Sequence, residues 1–262
     1  MKKKSFFEPL GVFFILKDLF GEHHPKVREW INSLFSMAIV NKESSSIFAA
    51  DEMILFGRSM DFLREEKFIN CADNNFVGDV DEGSHRAIIW RRHILVWAGE
   101  HCKKLKGSFC DFGCYDGVGS KFINDYCELE KNNISFYLYD AFVSPPKSAS
   151  FRKHSKDLYS EVKKKFTNSK NVEVIDGLLP ESLIKTCPKS ISFAHIDLNN
   201  VEAEMAVLQY IYDRIVKGGI IILDDYGWIN YRSQLAAEKK FLEKKGQKIL
   251  ELPTGQGLII KS

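Results

Sequence analysis

The sequence predicts an α/β fold, a doubly wound, mainly parallel sheet of seven strands preceded by an N-terminal helical extension. From residue 108 onward, short apolar strands alternate with helical stretches, as parallel βα units require. These strands are predicted at 108–112, 134–139, 171–175, 191–196 and 219–223. A glycine-rich turn follows the first strand. Two strand-like runs around Pro253-Thr254-Gly255-Gln256 predict an antiparallel C-terminal hairpin at the sheet edge.

The residues before the predicted sheet are expected to be helical and irregular. We expect two regions, a helical extension over residues 1–80 and a sheet domain over residues 81–262. In the extension, apolar residues recur at helical spacing at Val27, Trp30, Ile31 and Leu34. Residues 71–83 are rich in Asp, Asn and Gly, which predicts a loop. The next predicted helix has one buried apolar face, formed by Trp90, Ile94, Trp97 and Ala98.

One further helix is predicted between the fourth and fifth strands, over residues 202–216. Its inward-facing residues are Val207, Leu208, Ile211 and Ile215. Lys217-Gly218-Gly219 follows, and it supplies the cation and the glycine that helix C-termini favour. We therefore expect the helix to end there and the fifth strand to begin at residue 219.

Composition limits the class of function. A chain of 262 residues, 45% of them hydrophobic, can bury a full core in one α/β domain. The formal net charge of +2 gives no strongly basic field, so we expect no nucleic-acid partner. The apolar run over residues 10–16 is too short to span a bilayer, so no membrane span is expected. The six cysteines show neither C-x-x-C pairs nor zinc-site spacing, which is typical of free thiols and favours a cytoplasmic location.

The turn after the first strand contains three glycines, Gly113, Gly117 and Gly119. Their spacing, G-x-x-x-G-x-G, differs from the G-x-G-x-x-G of dinucleotide-binding turns. It suits a strand that ends beneath a nucleoside carrying a free amino acid, as in S-adenosylmethionine. Glycine lets the backbone approach such a ligand closely, and Asp111 can accept hydrogen bonds from its ammonium group. The alternative is a purely structural turn.

Each of the five predicted strands ends in at least one carboxylate. These are Asp111, Asp140, Asp176, Asp197 and the Asp224-Asp225 pair. Because the carboxyl ends of parallel strands share one edge, we expect the groups on one rim, where doubly wound sheets bind ligands. Asp140 is placed to bind both ribose hydroxyls, and Asp176-Gly177 to meet the adenine amino group. Like charges on one rim repel each other, so we expect a cationic ligand or a metal to compensate them.

Three of these carboxylates, Asp197, Asp224 and Asp225, predict a metal site. Hard oxygens from neighbouring strands suit Mg²⁺ or Ca²⁺, and a bound cation lowers the pKa of a coordinated alcohol. Asp197 is also a candidate general base. For the Asp224-Asp225 pair, the alternative is a turn or a helix N-cap. His195 is a second candidate base, and the alternative there is a packed, hydrogen-bonded histidine within the strand.

Several blocks of the chain, taken in combination, resemble the macrocin O-methyltransferase group of class I methyltransferases. They lie at residues 90–93, 107–113, 136–142, 194–197 (Ala-His-Ile-Asp) and 217–227. The ending Leu-Pro-Thr-Gly-Gln-Gly at 252–257 is similar to that of a bacterial subgroup found with surface-sugar genes. The resemblance covers roughly residues 55–262 and implies the Rossmann-like methyltransferase fold.

The resemblance also implies roles for single residues. Asp197, Asp224 and Asp225 would be metal ligands, with Asp197 as the base. Together with the strand-end argument, it gives the predicted cofactor-binding residues, which are Asp111, Gly113, Cys114, Gly117, Gly119, Asp140, Ala141, Asp176 and Gly177. The chain departs from the family pattern at Asn199, which replaces a second acid, and the tyrosine that follows this acid in the family is missing. This departure bears mainly on which acceptor the enzyme binds, and to a lesser degree on whether it binds a metal.

We therefore expect an O-methyltransferase that uses S-adenosylmethionine with the help of Mg²⁺. Its acceptor would be a hydroxyl of a sugar or of a glycosylated small molecule. One alternative is a catalytically silent S-adenosylmethionine-binding protein of the same fold. Another is an NAD-dependent oxidoreductase, against which the glycine spacing argues. We expect the N-terminal helices either to cover the acceptor site as a lid or to form an oligomer interface. The apolar residues Phe6, Phe7, Phe13 and Phe14 favour the interface and thus a homo-oligomer.

Overall fold

The computed structural model describes residues 47–56, 58–77, 85, 87–143 and 157–262. The chain divides into two compact units, Met1–His93 and Ile94–Ser262. The predicted helix at residues 27–34 and the N-terminal phenylalanines lie outside the described residues. The predicted division into a helical extension and a sheet domain after residue 80 stays a prediction.

The described part of the first unit contains a hairpin that the sequence analysis did not predict. Strands β1 (Ile47–Ala50) and β2 (Met53–Phe56) pair antiparallel around Asp51 and Glu52. Both turn residues have positive φ, 52° and 53°, as the two-residue turns that match the twist of a hairpin require. The expectation of helical and irregular structure was therefore wrong for residues 47–56.

Helix α1 (Glu66–Phe76) replaces part of the loop predicted over residues 71–83. Four of its side chains are buried, and they recur at helical spacing at Phe68, Cys71, Ala72 and Phe76. The burial of this apolar stripe outweighs the low helix propensity of the Asp and Asn residues between its members. The composition of the segment was therefore a weaker guide than its periodicity.

Helix α2 (Ile89–Cys102) begins in the first unit, and a residue of the hairpin turn caps its N-terminus. The buried carboxylate of Asp51 accepts hydrogen bonds from the backbone N–H groups of Trp90, at 2.7 Å, and Arg91, at 3.2 Å. A carboxylate in this position satisfies N–H groups that have no partner within the helix. The Trp90 ring packs edge-on against Phe48 and Phe62, whereas Trp97, predicted to be buried, is 49% exposed.

The second unit is built on a seven-stranded sheet with the order β5-β4-β3-β6-β7-β9-β8. Its strands are β3 (Ser108–Phe112), β4 (Phe136–Asp140), β5 (Val172–Asp176), β6 (Ile191–Ile196), β7 (Ile215–Leu223), β8 (Leu250–Glu251) and β9 (Gly257–Ile260). The first five strands of the order pair in parallel, and β9 and β8 follow antiparallel. The predicted fold class, including the C-terminal hairpin, is confirmed.

Five helices of the second unit follow α2. They are α3 (Val118–Tyr126), α4 (Leu158–Lys165), α5 (Leu183–Thr186), α6 (Val201–Ile211) and α7 (Arg232–Lys244). All six residues of β6 are buried, as in a strand covered on both faces. The central strands therefore form the core of this unit, and any polar side chain within them needs a partner.

The fifth parallel strand begins earlier than the sequence analysis predicted. Helix α6 ends at Ile211, and a short 3₁₀ turn leads directly into β7 at Ile215. Gly218, with φ +80°, lies inside the strand, and its N–H donates to the Lys261 carbonyl at 2.7 Å. The run Lys217-Gly218-Gly219 is therefore not a helix end, because pairing with β6 and the C-terminal residues extends the strand through it.

No helix in the described ranges has the length and apolar character to cross a bilayer. All six cysteines are free thiols, and five of them are buried.

Candidate active site

The strand order reverses between β3 and β6, the place where doubly wound sheets bind ligands. Gly113 follows β3 and Asp197 follows β6. The Asp197 amide donates to the Phe112 carbonyl at 2.8 Å. A Cβ added to Gly113, whose φ is +98°, would lie 1.9 Å from the Asp197 carbonyl oxygen. The first glycine of the motif is therefore required by the close approach of two strand ends, whether or not a ligand is bound.

The glycine turn after β3 is attached to the end of β4. The N–H of Gly113 donates to the Tyr139 carbonyl at 2.8 Å, and that of Tyr115 donates to Asp140 Oδ2 at 2.8 Å. Gly117 precedes α3 in a left-handed conformation, with φ +72°. The predicted cofactor turn is therefore a fixed structure, held by the carboxylate that the sequence analysis assigned to a ribose.

Asp140 also organises the turns after β4 and β5. Its Oδ1 accepts the Phe142 N–H at 2.7 Å, and its carbonyl accepts the Gly177 N–H at 3.0 Å. Asp140 and Asp176 are direct register partners in the parallel pair β4–β5. Asp140 is half-buried and Asp176 is exposed. Three adjacent strand ends are therefore linked through one residue, Asp140, by its carboxylate and its backbone carbonyl.

Eight of the nine predicted cofactor-binding residues lie in these three turns or in the first turn of α3. They are Gly113, Cys114, Gly117, Gly119, Asp140, Ala141, Asp176 and Gly177. Burial raises the pKa of the Cys114 thiol well above its ordinary value, so this side chain is a neutral packing group. The structure thus brings the predicted set to one rim, and their contact with a cofactor stays a prediction.

Three of the seven non-glycine residues with positive φ in the described ranges lie on the same rim. Tyr115, Phe142 and Asn199 adopt positive φ values of 48°, 50° and 53°. They follow β3, β4 and β6, respectively. Such conformations are uncommon for aromatic residues, and they persist where the surrounding structure enforces them, often at ligand sites.

Asp111, the ninth predicted residue, is part of a buried ion-pair network. It is 3% exposed, its Oδ2 accepts the Ser120 hydroxyl, and its Oδ1 lies 2.8 Å from His195 Nδ1. The other ring nitrogen of His195 lies 3.4 Å from Asp224 Oδ1. A single histidine therefore stands between two of the predicted rim carboxylates, inside the core of the sheet.

The C-terminal hairpin extends this network. Gln256 Nε2 donates to Asp224 Oδ1 at 2.8 Å, and the Thr254 hydroxyl donates to Gln256 Oε1 at 3.0 Å. Both residues are buried. They belong to the Pro-Thr-Gly-Gln run that the sequence analysis used only as a turn signal and as part of the resemblance. The hairpin thus supplies polar groups to the centre of the rim, which the sequence analysis missed.

The two carboxylates determine the charge of His195. Burial by itself lowers the pKa of the imidazole, but Asp111 and Asp224 outweigh this effect and raise the pKa to about 10. The positive charge expected among the rim carboxylates is therefore supplied in part by the protein itself. This placement favours the packed, hydrogen-bonded alternative for His195 over the role of a base, because a protonated imidazole has no site to accept a proton.

Asp197, the predicted base, is half-buried at the end of β6. Its Oδ1 accepts the Asn199 side-chain N–H at 2.9 Å, and Asn199 Oδ1 accepts the Tyr231 hydroxyl. The residue that replaces the second acid of the family pattern is thus held between a carboxylate and a phenol. An amide does not accept a proton at neutral pH, so Asn199 cannot act as a base. Asp197 is therefore the carboxylate of this loop that can do so.

The predicted metal ligands are on adjacent strand ends, but they do not form a metal site. Asp224 and Asp225 are buried, and Asp197 is half-buried. Oδ1 of Asp224 and Oδ1 of Asp197 each accept an N–H bond, from Gln256 and Asn199, respectively. In the part of the chain that the structure describes, no three Cys, His, Asp or Glu side chains are arranged to hold a metal ion. Carboxylate oxygens are suitable ligands for Mg²⁺, but the arrangement of these three side chains does not support the predicted Mg²⁺ site.

Comparison with known families identifies the chain. A sequence profile of the macrocin-O-methyltransferase (TylF) family matches residues 100–249, more than half of the chain. That span contains strands β3 to β7 and their ends. The chain belongs to this family. The enzyme is therefore an O-methyltransferase, and the predicted resemblance is confirmed.

Three solved structures share the fold of this methyltransferase at low sequence identity. The O-methyltransferase NovP is 14% identical, with a TM-score of 0.57 over 66% of this chain and 79% of NovP. The calicheamicin methyltransferase CalS11 is 12% identical, with a TM-score of 0.57 over 78% and 98%. The Podospora anserina methyltransferase PaMTH1 is 14% identical, with a TM-score of 0.51 over 92% and 99%. A search of functionally curated proteins finds no significant match.

Proposed function

We propose that this methyltransferase transfers a methyl group from S-adenosylmethionine to a hydroxyl of a sugar or a glycosylated small molecule. The observation that carries the proposal is the rim at the switch point, where Gly113, Asp140 and Asp197 meet within one hydrogen-bonded unit. Among the structures of similar fold, PaMTH1 is described as bound to S-adenosylhomocysteine. CalS11 is described as a TDP-rhamnose 3′-O-methyltransferase.

The cofactor would lie along the ends of β3, β4 and β5. Each carboxylate oxygen of Asp140 accepts a backbone N–H. Because a carboxylate oxygen can accept more than one hydrogen bond, we propose that the ribose hydroxyls bind Asp140 alongside these backbone donors. Asp176 and Gly177 would face the adenine. Asp111 is almost fully buried in its ion pair, so we propose that it acts on the ammonium group mainly through the charge and shape of the turn.

Asp197 would accept the proton of the acceptor hydroxyl. Bound S-adenosylmethionine supplies an electrophilic methyl group on a sulfonium. The cofactor would leave as neutral S-adenosylhomocysteine, and the Asp197 carboxylate would take the proton of the acceptor hydroxyl as the methyl group is transferred. A neutral hydroxyl is a weak nucleophile, so the position of this base relative to the acceptor sets the rate.

The test uses the full chain, methyl-labelled S-adenosylmethionine and TDP-rhamnose, followed by a panel of other TDP-hexoses. We expect label on the sugar, and an Asp197→Asn variant about 100-fold slower or worse, the range for loss of a general base. Asp213→Asn, an exposed acid outside the rim, is the matched control. Failure to methylate any sugar while S-adenosylhomocysteine binds would favour the silent binding protein. Failure of both would refute the proposal.

The arrangement of side chains does not support the predicted Mg²⁺. The proposed transfer of the hydroxyl proton to Asp197 does not depend on a metal. The test for the metal is the rate of methyl transfer after dialysis against a chelator, with and without added Mg²⁺. Activation that Asp225→Asn abolishes would re-establish the predicted metal site. If the chelator leaves the rate unchanged, the predicted metal site is refuted. Homo-oligomer formation and a cytoplasmic location stay predictions.

A further inference from the structure

We infer that Glu204 is a positioning residue for this reaction, because its buried carboxylate holds the loop after β6 so that Asn199 reaches Asp197. The loop after β6 consists of residues 197–200 and joins β6 to α6. The inference rests on the proposed role of Asp197 as the base. Glu204 touches neither reactant in this account, and its effect passes through Asn199.

Glu204 binds the loop backbone directly. It is fully buried on α6, and its Oε1 accepts the N–H groups of Leu198, at 2.9 Å, and Asn199, at 3.1 Å. Its Oε2 accepts Gln234 Nε2 from α7 at 2.6 Å. Two consecutive backbone donors on one oxygen fix the local backbone, and the third bond fixes the carboxylate itself.

The backbone that Glu204 binds has an uncommon conformation at Asn199. Asn199 has φ +53°, and the Glu204 bond to its N–H stabilises this conformation. From here the Asn199 side chain donates to Asp197 Oδ1 at 2.9 Å and accepts the Tyr231 hydroxyl. With both ends of its amide bound, Asn199 orients one oxygen of Asp197 through a single hydrogen bond.

Helix capping does not explain the buried carboxylate. Asn200 is the N-cap of α6, and its Oδ1 accepts the Ala203 N–H at 2.9 Å. The helix therefore has its own cap, one that uses a different acceptor. The two N–H groups that Glu204 accepts belong to the loop, outside the helix.

A second buried carboxyl, Glu238 on α7, faces Glu204. Both are fully buried, and within the described ranges the oxygens of Glu238 have no hydrogen-bond partner apart from this contact. Burial raises the pKa of both groups, that of Glu238 to about 7. The three N–H bonds to Glu204 favour its carboxylate form, so we place the retained proton on Glu238. Burying two carboxyl groups costs free energy, so the stability of the core does not explain the pair. A role in holding the loop after β6 is consistent with this cost.

The experiment compares turnover, cofactor affinity and amide exchange in four variants. Glu204→Gln keeps an oxygen for the two backbone N–H groups, and Glu204→Ala removes it. Glu202→Ala, an exposed glutamate on the same helix, is the control. Asn199→Gly keeps the positive φ and the Glu204 bonds but removes the amide that holds Asp197.

We expect kcat to fall about 10- to 100-fold in Glu204→Ala and Asn199→Gly, the scale of a misplaced catalytic group. KM and the affinity for S-adenosylhomocysteine should stay within about twofold of the native values, a split that general destabilisation does not produce. Glu204→Gln should retain most of the rate. Exchange of the Leu198 and Asn199 amides should accelerate in Glu204→Ala and not in Glu202→Ala.

Full turnover in Glu204→Ala or in Asn199→Gly would overturn the inference, and so would equal losses in Glu204→Gln and Glu204→Ala. Asn199→Gly decides the matter if Glu204→Ala does not fold. The amide exchange needs no acceptor: unchanged protection of Leu198 and Asn199 in Glu204→Ala also overturns the inference. Inactivity of the native enzyme toward every sugar, with the exchange result as expected, would instead refute the proposed acceptor.

Discussion

His195 Nδ1 lies 2.8 Å from Asp111 Oδ1, and the two residues are register partners on the neighbouring strands β6 and β3. This pair is buried beneath the rim that we propose as the cofactor site. The sheet thus contains a cation of its own directly below the acidic strand ends. This imidazolium compensates part of the negative charge of the strand ends within the fold itself, at Asp111 and Asp224.

Removing Asp111 should destabilise the protein strongly. Asp111→Ala leaves the imidazolium of His195 with one carboxylate and the Ser120 hydroxyl without its acceptor. Breaking a buried charge pair typically lowers the free energy of unfolding by about 3–5 kcal/mol. Urea denaturation without ligand measures the change. The exposed acid Asp176→Ala is the control, and a loss no larger in Asp111→Ala than in this control would show that the ion pair contributes nothing.

The raised pKa of His195 makes stability depend on pH in the alkaline range. A group whose pKa rises from 6.5 to about 10 on folding contributes stability that is fully present below pH 6.5. That contribution is lost as the pH rises toward 10, by up to about 1.4 kcal/mol for each pH unit. We expect the free energy of unfolding to fall between pH 7 and pH 10 in the native protein. In His195→Gln the fall should be smaller, and a parallel decline in both proteins would contradict a buried imidazolium.

The Glu204–Glu238 pair predicts a second pH dependence, in the acidic to neutral range. Glu238 has its pKa raised from 4.5 to about 7, so the folded state holds a proton that the unfolded state releases. Stability from this proton is complete below pH 4.5 and is lost as the pH rises toward 7. Glu238→Gln replaces the protonated acid with a neutral donor. The variant should lose this decline, as thermal denaturation between pH 5 and pH 8 would measure, and an unchanged pH profile would argue against the shared proton.

Gln256 should matter more than its position in a hairpin turn suggests. Gln256→Leu removes the N–H that binds Asp224 and the oxygen that accepts the Thr254 hydroxyl. Leaving buried polar groups without partners costs about 1–3 kcal/mol for each group. Gln209→Leu, on the exposed face of α6, is the matched control. Equal unfolding midpoints in the two variants would mean that the hairpin does not support the rim.

Much of the fold could be predicted from local patterns. The strands at 108–112 and 191–196 were predicted with the bounds that the structure has, because each is a short apolar run between polar turns. The start of β7 could not be predicted, since Ile215 continues the spacing of α6. Only its pairing with Ile191, far away in sequence, makes it a strand. The β1–β2 hairpin carries no Gly or Asn in its turn, so the usual signal was missing.

The candidate site was predictable as a location and less so as a set of interactions. Strand ends are visible in sequence, and the structure brings their predicted residues to one rim. An external cation was expected to balance the carboxylates, because the position of His195 between Asp111 and Asp224 depends on strand pairing that the sequence does not show. Glu204 gave no signal, since a glutamate on an amphipathic helix is ordinarily exposed. Its burial follows from contacts with α7 that only the tertiary structure contains.

The central claim is that the linked strand ends bind S-adenosylmethionine, and a calorimetric titration with S-adenosylhomocysteine tests it most directly. We expect saturable binding of one nucleoside per chain. Asp140→Ala should weaken it about tenfold or more, equivalent to at least about 1.4 kcal/mol. Asp213→Ala should leave it unchanged. Absence of binding to the native chain, or equal affinity in Asp140→Ala, would contradict the account.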